Sequence, residues 1–401
     1  MSIKEELGKA GVYVLPPVAP EEPESKIIMA RLEALGWSFR LNRCADTIEV
    51  NGHPINEIVE AEIRVALRDI GLTKKITAAE DAYMALAKKN SYHPVQDYLD
   101  TLQWDGRDHI TALAACLYSS DPPIVYRDGS SLPLPHVYLY RWIIGAVAKV
   151  YTGSQNPMMV WDGPQGIGKS TLARWLCPLT HFFIEGSINP SDKDSDIRLI
   201  TQLVWEVAEL DATTRKADQS ALKSFITKQV VTVRPSYGRH DIKKPAMCSL
   251  IGTVNNTSGF LADETGSRRF LITKLDRIDR KYQNLDRDQL WAQAVALYRD
   301  GETGTLTLEE STMQGKVNER YEAQTVLADW LDRSFMFDPS YSDQYSLADI
   351  IAIMASDGFK PGGSERSQYM ELARVLTRKH AKSIHTRLGN RWVGFQKRPT
   401  A

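Results

Sequence analysis

Residues 158–171, MMVWDGPQGIGKST, constrain this chain more than any other stretch. MMVWD (158–162) reads as a short buried strand. The next eight residues, Gly163-Pro164-Gln165-Gly166-Ile167-Gly168-Lys169-Ser170, match G-x-x-x-x-G-K-[ST], and a helix opens from Gly168 onward. Strand, tight turn and helix are what the pattern needs. The glycines let successive backbone N–H groups point inward, and a helix N-terminus carries partial positive charge, so the loop can hold phosphates. Lys169 is expected to reach the β- and γ-phosphates, the Ser170 hydroxyl to ligate Mg²⁺, and Thr171 to support the helix start near the α-phosphate. ATP and Mg²⁺ are the expected cofactors.

The region around that loop alternates strands and helices. LVWEVAEL (203–210) reads as a second buried strand, 218–228 as a helix, CSLIGTVN (248–255) as a third strand and RRFLIT (268–273) as a fourth. Strands separated by helices imply a parallel sheet with helices on its faces. Hydrolysis also requires an acid that organises the metal and the attacking water. The second strand offers Glu206 within it and Glu209 at its end, with Asp211 as an outsider. Glu209 is the first choice for the water-activating or metal role and Glu206 the second. The strand follows Lys169 by fewer than 45 residues, the spacing of an adjacent-layer strand. Asn255 closes the third strand at the edge where ligands of parallel sheets gather, so it is a candidate for orienting water. Arg268 and Arg269 precede an apolar run and suit a finger reaching a neighbour's γ-phosphate. Ordinary turns and surface ion pairs are the competing readings for all three.

With 401 residues, 43% of them hydrophobic, the chain is too long for one core. The expected divisions are a Pro/Glu-rich flexible tail (1–26), an N-terminal helical domain (27–95) carrying an Asn51-Gly52 hairpin turn, a helical lead-in (96–155), the loop-bearing core (156–280), a helical segment (281–340) and a basic winged-helix-like module (341–401). Residues 119–135 read as a polar loop, 137–151 as a long helix ending near Gly153, and 316–336 as helical. Asp192, Asp194 and Asp196 (DKDSD) read as a polar loop rather than a metal cluster. Cys44, Cys116, Cys177 and Cys248 stand far apart, with no C-x-x-C pair, which argues against a disulfide framework or a zinc site. No apolar run is long enough to span a bilayer and the N-terminus lacks signal-peptide character, so a cytoplasmic location and no membrane partner are expected.

These blocks in this order resemble the virulence-associated protein E family of phage and mobile elements, within superfamily 3 helicases. The resemblance is carried by SYHPVQDYLDTLQWDG (91–106), GPQGIGKSTL, LVWEVAELDA, LKSFITKQVVTVRPSYGR (222–239), IGTVNN and GSRRFLI (266–272). It implies an AAA+-like core assembling into a ring, six subunits being the expected number. Lys169, Ser170, Glu209 and Asn255 would lie on one side of the nucleotide, and Arg268 or Arg269 would arrive from the neighbour. It also implies action on phage or plasmid DNA in a bacterial host. In the family an acidic residue often precedes the R-x-P-Y-G-R-like segment, where this chain has Val230-Val231-Thr232.

A net charge of −1 means that any DNA surface must be local. KQVVTVRPSYGRHDIKKP (228–245) reads as a basic hairpin with one acid, Asp241. Arg234, Arg239, Lys243 and Lys244 are its candidate phosphate contacts, and Tyr237 or His240 its candidate for stacking on a base. Residues 360–401 hold ten lysines and arginines against Glu365 and Glu371, in a helix followed by a Gly389-Asn390 turn. The expected function is an ATP-dependent DNA helicase or translocase. The alternative is an ATP-switched DNA-binding assembly or loading protein that does not unwind. A small-molecule kinase on the same loop is a third reading.

Overall fold

A computed structural model describes residues 23–72, 76–208, 210, 216–233, 241–255, 259, 261, 268–322, 326–359, 362, 364–387 and 389–399, apart from the side chains of 76 and 216–220. The chain divides into two compact units, Met1–Thr257 with Glu264–Glu319, and Ser258–Asp263 with Arg320–Ala401.

The first unit begins with α1 (Glu24–Ala34), β1 (Phe39–Asn42), β2 (Thr47–Val50), β3 (His53–Pro54), α2 (Glu57–Asp69) and α3 (Ile76–Lys89). Asn51 and Gly52 both have positive φ, 51° and 83°, and join β2 to β3 as the Asn-Gly signal predicts. Asn56 caps α2 by accepting from the backbone N–H groups of Ile58 and Val59. Ile28, Leu32, Phe39, Ile63, Leu67 and Leu86 form a core here. Ile58 and Val65 on α2 are 72% and 52% exposed. At 3.6 residues per turn the inward face passes through Ile63 and Leu67 and leaves them outside.

Next come α4 (Pro94–Thr101), α5 (His109–Ala114), β4 (Leu117–Tyr118), β5 (Ile124–Val125), β6 (Ser131–Leu132) and α6 (Leu134–Thr152). The expected polar loop at 119–135 therefore contains a small antiparallel hairpin, β5–β6. Gly153 ends α6 in the left-handed conformation at φ 69°, and Trp142 on α6 donates its indole N–H to Leu250 O at 3.1 Å.

The core follows as β7 (Met158–Asp162), α7 (Lys169–Leu176), β8 (Phe183–Glu185), α8 (Lys193–Thr201), β9 (Val204–Val207), α9 (Lys216–Ile226), β10 (Val230–Val233), β11 (Ile242–Pro245), β12 (Ser249–Val254), β13 (Phe270–Lys274), β14 (Arg277–Ile278), α10 (Arg287–Arg299) and α11 (Leu308–Glu319). Five strands form one parallel sheet, β13-β7-β12-β9-β8. All residues of β7, β9 and β12 are buried, which explains why these strands read as mostly apolar rather than alternating. The fold is thus mixed α/β, a parallel sheet with helices. Two expectations need correction. The strand bearing Glu206 is not beside the loop strand, because β12 lies between them. DKDSD is not a loop: Asp192 caps α8 by accepting from Asp194 N, and Asp196 pairs with Lys228 at 2.6 Å. Acidic residues in a first helical turn suit the positive helix end, so this cluster has a local structural cause.

The second unit contains α12 (Val326–Ser334), β15 (Phe335–Phe337), α13 (Leu347–Ser356), α14 (Glu365–Arg378), β16 (Lys382–Thr386), β17 (Gly389–Val393) and β18 (Phe395–Lys397). The helical reading of 316–336 thus resolves into the end of α11 and a separate α12. A capping box of Ser346 and Asp349 starts α13. β16 pairs with β17, and β15 with β18, both antiparallel. Gly394, whose φ is 90°, separates β17 from β18. Trp330, Leu331, Phe335, Ile350, Leu372, Leu376 and Phe395 make this unit's own core. Among the described residues no helix is long and apolar enough to cross a membrane.

Candidate nucleotide site

The loop Gly163–Ser170 leaves the C-terminal end of β7 and enters α7, whose first residue is Lys169. Gly166 and Gly168 take φ of 84° and 101°, a region that residues with a Cβ rarely adopt. Gly163 is required for a different reason: a Cβ there would lie 2.1 Å from Leu275 O. Gly163→Ala is therefore expected to lose about 2 kcal/mol of stability, since backbone must shift to admit the methyl group. Thermal melting checks this, and an unchanged Tm would contradict the packing at this turn.

Lys169 is 6% exposed. Its ammonium donates to Gly163 O at 2.7 Å, Pro164 O at 2.9 Å and Asn255 Oδ1 at 3.1 Å. Burial lowers its pKa, and Asp162 and Glu206 oppose that shift. Asn255 follows directly on β12, next to the loop strand, so the third-strand amide meets the lysine from the adjacent strand end.

Glu206 is fully buried in β9. Its Oε1 accepts from the Thr253 hydroxyl at 3.4 Å, while Oε2 has no hydrogen-bond partner. Burial raises its pKa and Glu185 adds to that, whereas Ser170, Thr253 and Arg174 favour the charged form. A buried carboxylate oxygen without a donor is costly unless a cation meets it. Here it stands beside the Ser170 hydroxyl, which gives a pair of hard oxygen ligands. Mg²⁺ fits such a pair, because it commonly takes one or two protein oxygens and fills the rest with phosphate and water. Among the described residues no group of three His, Cys, Asp or Glu gathers to hold a metal on protein ligands alone.

The remaining candidates are distributed as follows. Gln165, Ile167 and Thr171 lie on the loop and the first turn of α7. Glu209, Asp211, Arg234, Tyr237, Arg239 and His240 lie outside the described residues. Arg268 and Arg269 form a short turn before β13, with Gln314 on α11 donating to Arg268 O and Phe270 O at 3.0 and 2.9 Å. Arg268 is exposed, and the buried Nε of Arg269 has no hydrogen-bond partner. The register Phe270↔Met158 and Lys274↔Asp162 sets these arginines at the N-terminal end of the sheet and the loop at the C-terminal end. Five strand residues, ~16 Å, separate them, so neither guanidinium is brought to its own chain's loop.

The described part of the basic hairpin is β10 paired with β11. Its two lysines differ. Lys243 is exposed. Lys244 is 14% exposed in its side chain and held by Asp46 Oδ1 at 3.0 Å, Arg43 O at 2.7 Å and Cys44 O at 3.1 Å. Its expected place among the phosphate contacts thus gives way to an internal clamp on the turn between β1 and β2. The sequence did not reveal this partner, which lies almost two hundred residues away.

Sequence reasoning also missed Asp162, Thr253, Glu185 and Arg174. Glu185 is the register partner of Glu206 across β8–β9, and Arg174 on α7 pairs with it at 3.1 Å. Only the strand order brings these groups to one edge.

These features define a mixed α/β protein with a phosphate-loop motif at the carboxyl edge of a parallel sheet. The virulence-associated protein E-like domain matches residues 99–323, more than half of the chain, and the chain belongs to that family. None of the curated proteins compared with it matches. Among solved structures, the A form apo structure of the NrS-1 C-terminal region is 12% identical, covers 91% of this chain and 98% of that one, and gives a TM-score of 0.47. A second, of NrS-1 residues 305–718, is 13% identical, covers 93% and 100%, and gives 0.46.

Proposed function

We propose that this chain is an ATP-hydrolysing motor of the AAA+ type, acting as a ring on DNA as a helicase or translocase in phage or mobile-element replication. One observation carries the reading. The Lys169 ammonium, the Asn255 amide and the unpartnered Glu206 carboxylate oxygen converge at the loop from neighbouring parallel elements. Family membership supports it independently.

Each group has a task set by its chemistry. The loop N–H groups and Lys169 bind the β- and γ-phosphates and neutralise charge as it develops on the leaving oxygens. On binding triphosphate, Lys169 exchanges the loop carbonyls for phosphate oxygens. Ser170 and Glu206 would hold Mg²⁺, which supplies charge neutralisation across the phosphates. Asn255 orients the attacking water, and Glu206 or Glu209 accepts its proton. The distance from Arg268 and Arg269 to their own loop favours their use on a neighbouring copy. Head-to-tail contacts of that kind close into rings when the rotation allows.

Forked-duplex unwinding coupled to ATP turnover tests the proposal. The expected result is unwinding that stops with Lys169→Ala and turnover that rises with single-stranded DNA. Turnover indifferent to DNA, with no unwinding, would replace this reading by the assembly or loading protein. The two hairpin lysines give a sharper check. Lys243→Ala is expected to weaken single-strand binding and reduce its salt dependence with little change in Tm. Lys244→Ala is expected to lower stability by about 1 kcal/mol with the salt dependence unchanged, because it leaves Asp46 and two carbonyls without their donor. The reverse pattern would contradict the assignment of these residues.

A further inference from the structure

Within the second unit, helix α14 carries two faces of opposite character. Leu372, Val375 and Leu376 are buried. Arg366, Met370, Arg374 and Thr377 are exposed. At 100° per residue these four fall within an arc of about 80°, and no acid lies among them. Both acids of the helix, Glu365 and Glu371, lie off that arc.

Six of the described basic residues of this unit fall into two sets. Arg378 is ion-paired with Glu322, Lys379 with Asp332 at 2.5 Å, and Arg391 with Asp349 at 2.6 Å. These tie the unit together. Arg366, Lys382 and Arg387 are exposed and stand on α14 and on the β16–β17 hairpin that follows it. The order is helix, strand, helix, helix, two-stranded hairpin, with β15 returning to pair with β18.

We propose that the second unit is a site for double-stranded DNA, with α14 entering a major groove and the β16–β17 hairpin lying on the flanking backbone. This rests on the reading that the chain acts on DNA, and it adds a site separate from the hairpin at 228–245. The dimensions agree: a helix with its side chains is ~10–12 Å across and the major groove ~12 Å wide. So does the chemistry. Arginine reads guanine, an apolar side chain meets the thymine methyl group, and threonine serves either base. Arg366 and Met370 sit in the N-terminal half of α14, the part of a recognition helix that contacts base edges. Lys382 and Arg387 supply cations for phosphates.

The test uses the full chain without ATP and reads fluorescence anisotropy on a short labelled duplex and on a single strand of equal length. Arg366→Ala/Arg374→Ala is expected to weaken duplex binding at least tenfold. Lys382→Ala/Arg387→Ala, which removes the two proposed phosphate contacts, should reduce the log–log salt slope by about 2. Lys316→Ala/Arg333→Ala removes the same charge from exposed positions elsewhere and is expected to stay within about twofold. Melting temperature verifies folding of each variant. Wild-type-like duplex binding by the α14 variant would overturn the proposal, as would an equal loss of duplex and single-strand binding in that variant. The motor reading fails separately. A protein that binds duplex through α14 but never turns over ATP loses the motor and keeps this site. One whose DNA-stimulated turnover survives while duplex binding is absent does the opposite.

Discussion

Lys169→Ala is expected to lower ATP turnover about 10³-fold. On the proposed motor reading the Lys169 ammonium is the loop's cation toward the β- and γ-phosphates, and losing one preorganised donor of this kind removes roughly that factor. The same change leaves Gly163 O, Pro164 O and Asn255 Oδ1 without their shared donor. The first two are backbone oxygens of the loop itself, so nucleotide binding should weaken along with turnover. Coupled-assay rates and nucleotide titration read the two effects separately. Turnover at the unaltered rate would remove the loop from the chemistry altogether.

Glu206→Gln is expected to move activity and stability in opposite directions. Turnover should fall about 10²-fold or more while nucleotide still binds, because the amide is a poor metal ligand and no base. Stability should rise above neutral pH. The sign follows from the raised pKa of Glu206 in the fold, caused first by burial. A carboxyl that holds its proton more tightly when folded stabilises the fold at low pH and loses that contribution as pH rises from the unfolded value to the folded one. Above that window the buried charge burdens the fold, and glutamine removes it. Melting curves at several pH values, beside Mg²⁺-dependent nucleotide binding, check both halves. A variant that is less stable than the unaltered chain at pH 8 and still active would contradict the metal-facing assignment. Glu209→Gln in the same assays discriminates between the two acids.

Much of this protein is legible residue by residue. The Asn51-Gly52 turn, the buried strand MMVWD, the helix opening at Lys169 and the end of α6 at Gly153 all follow from local rules. Each depends on backbone geometry that a few neighbouring residues dictate. The placing of Lys169 and Asn255 on one side of the site was legible too, since the loop follows β7 and Asn255 follows β12 at one edge of a parallel sheet.

Other features were decided only by tertiary structure. Apolar periodicity shows that β9 and β12 are buried but not which of them lies beside β7, because burial on both faces erases any mark of neighbourhood. The insertion of β12 set Thr253 against Glu206, while β8 on the other side of β9 brought Glu185 across from it. Charge in the sequence likewise says nothing of partners. Lys244 and Lys243 are identical letters side by side, and successive residues of a strand point to opposite faces. One was turned toward Asp46 and the other toward solvent. The chain's own order of residues therefore determined the elements and the turn at Gly163–Ser170. The fold alone determined which acids, amides and cations meet, since those meetings depend on contacts between residues far apart in sequence.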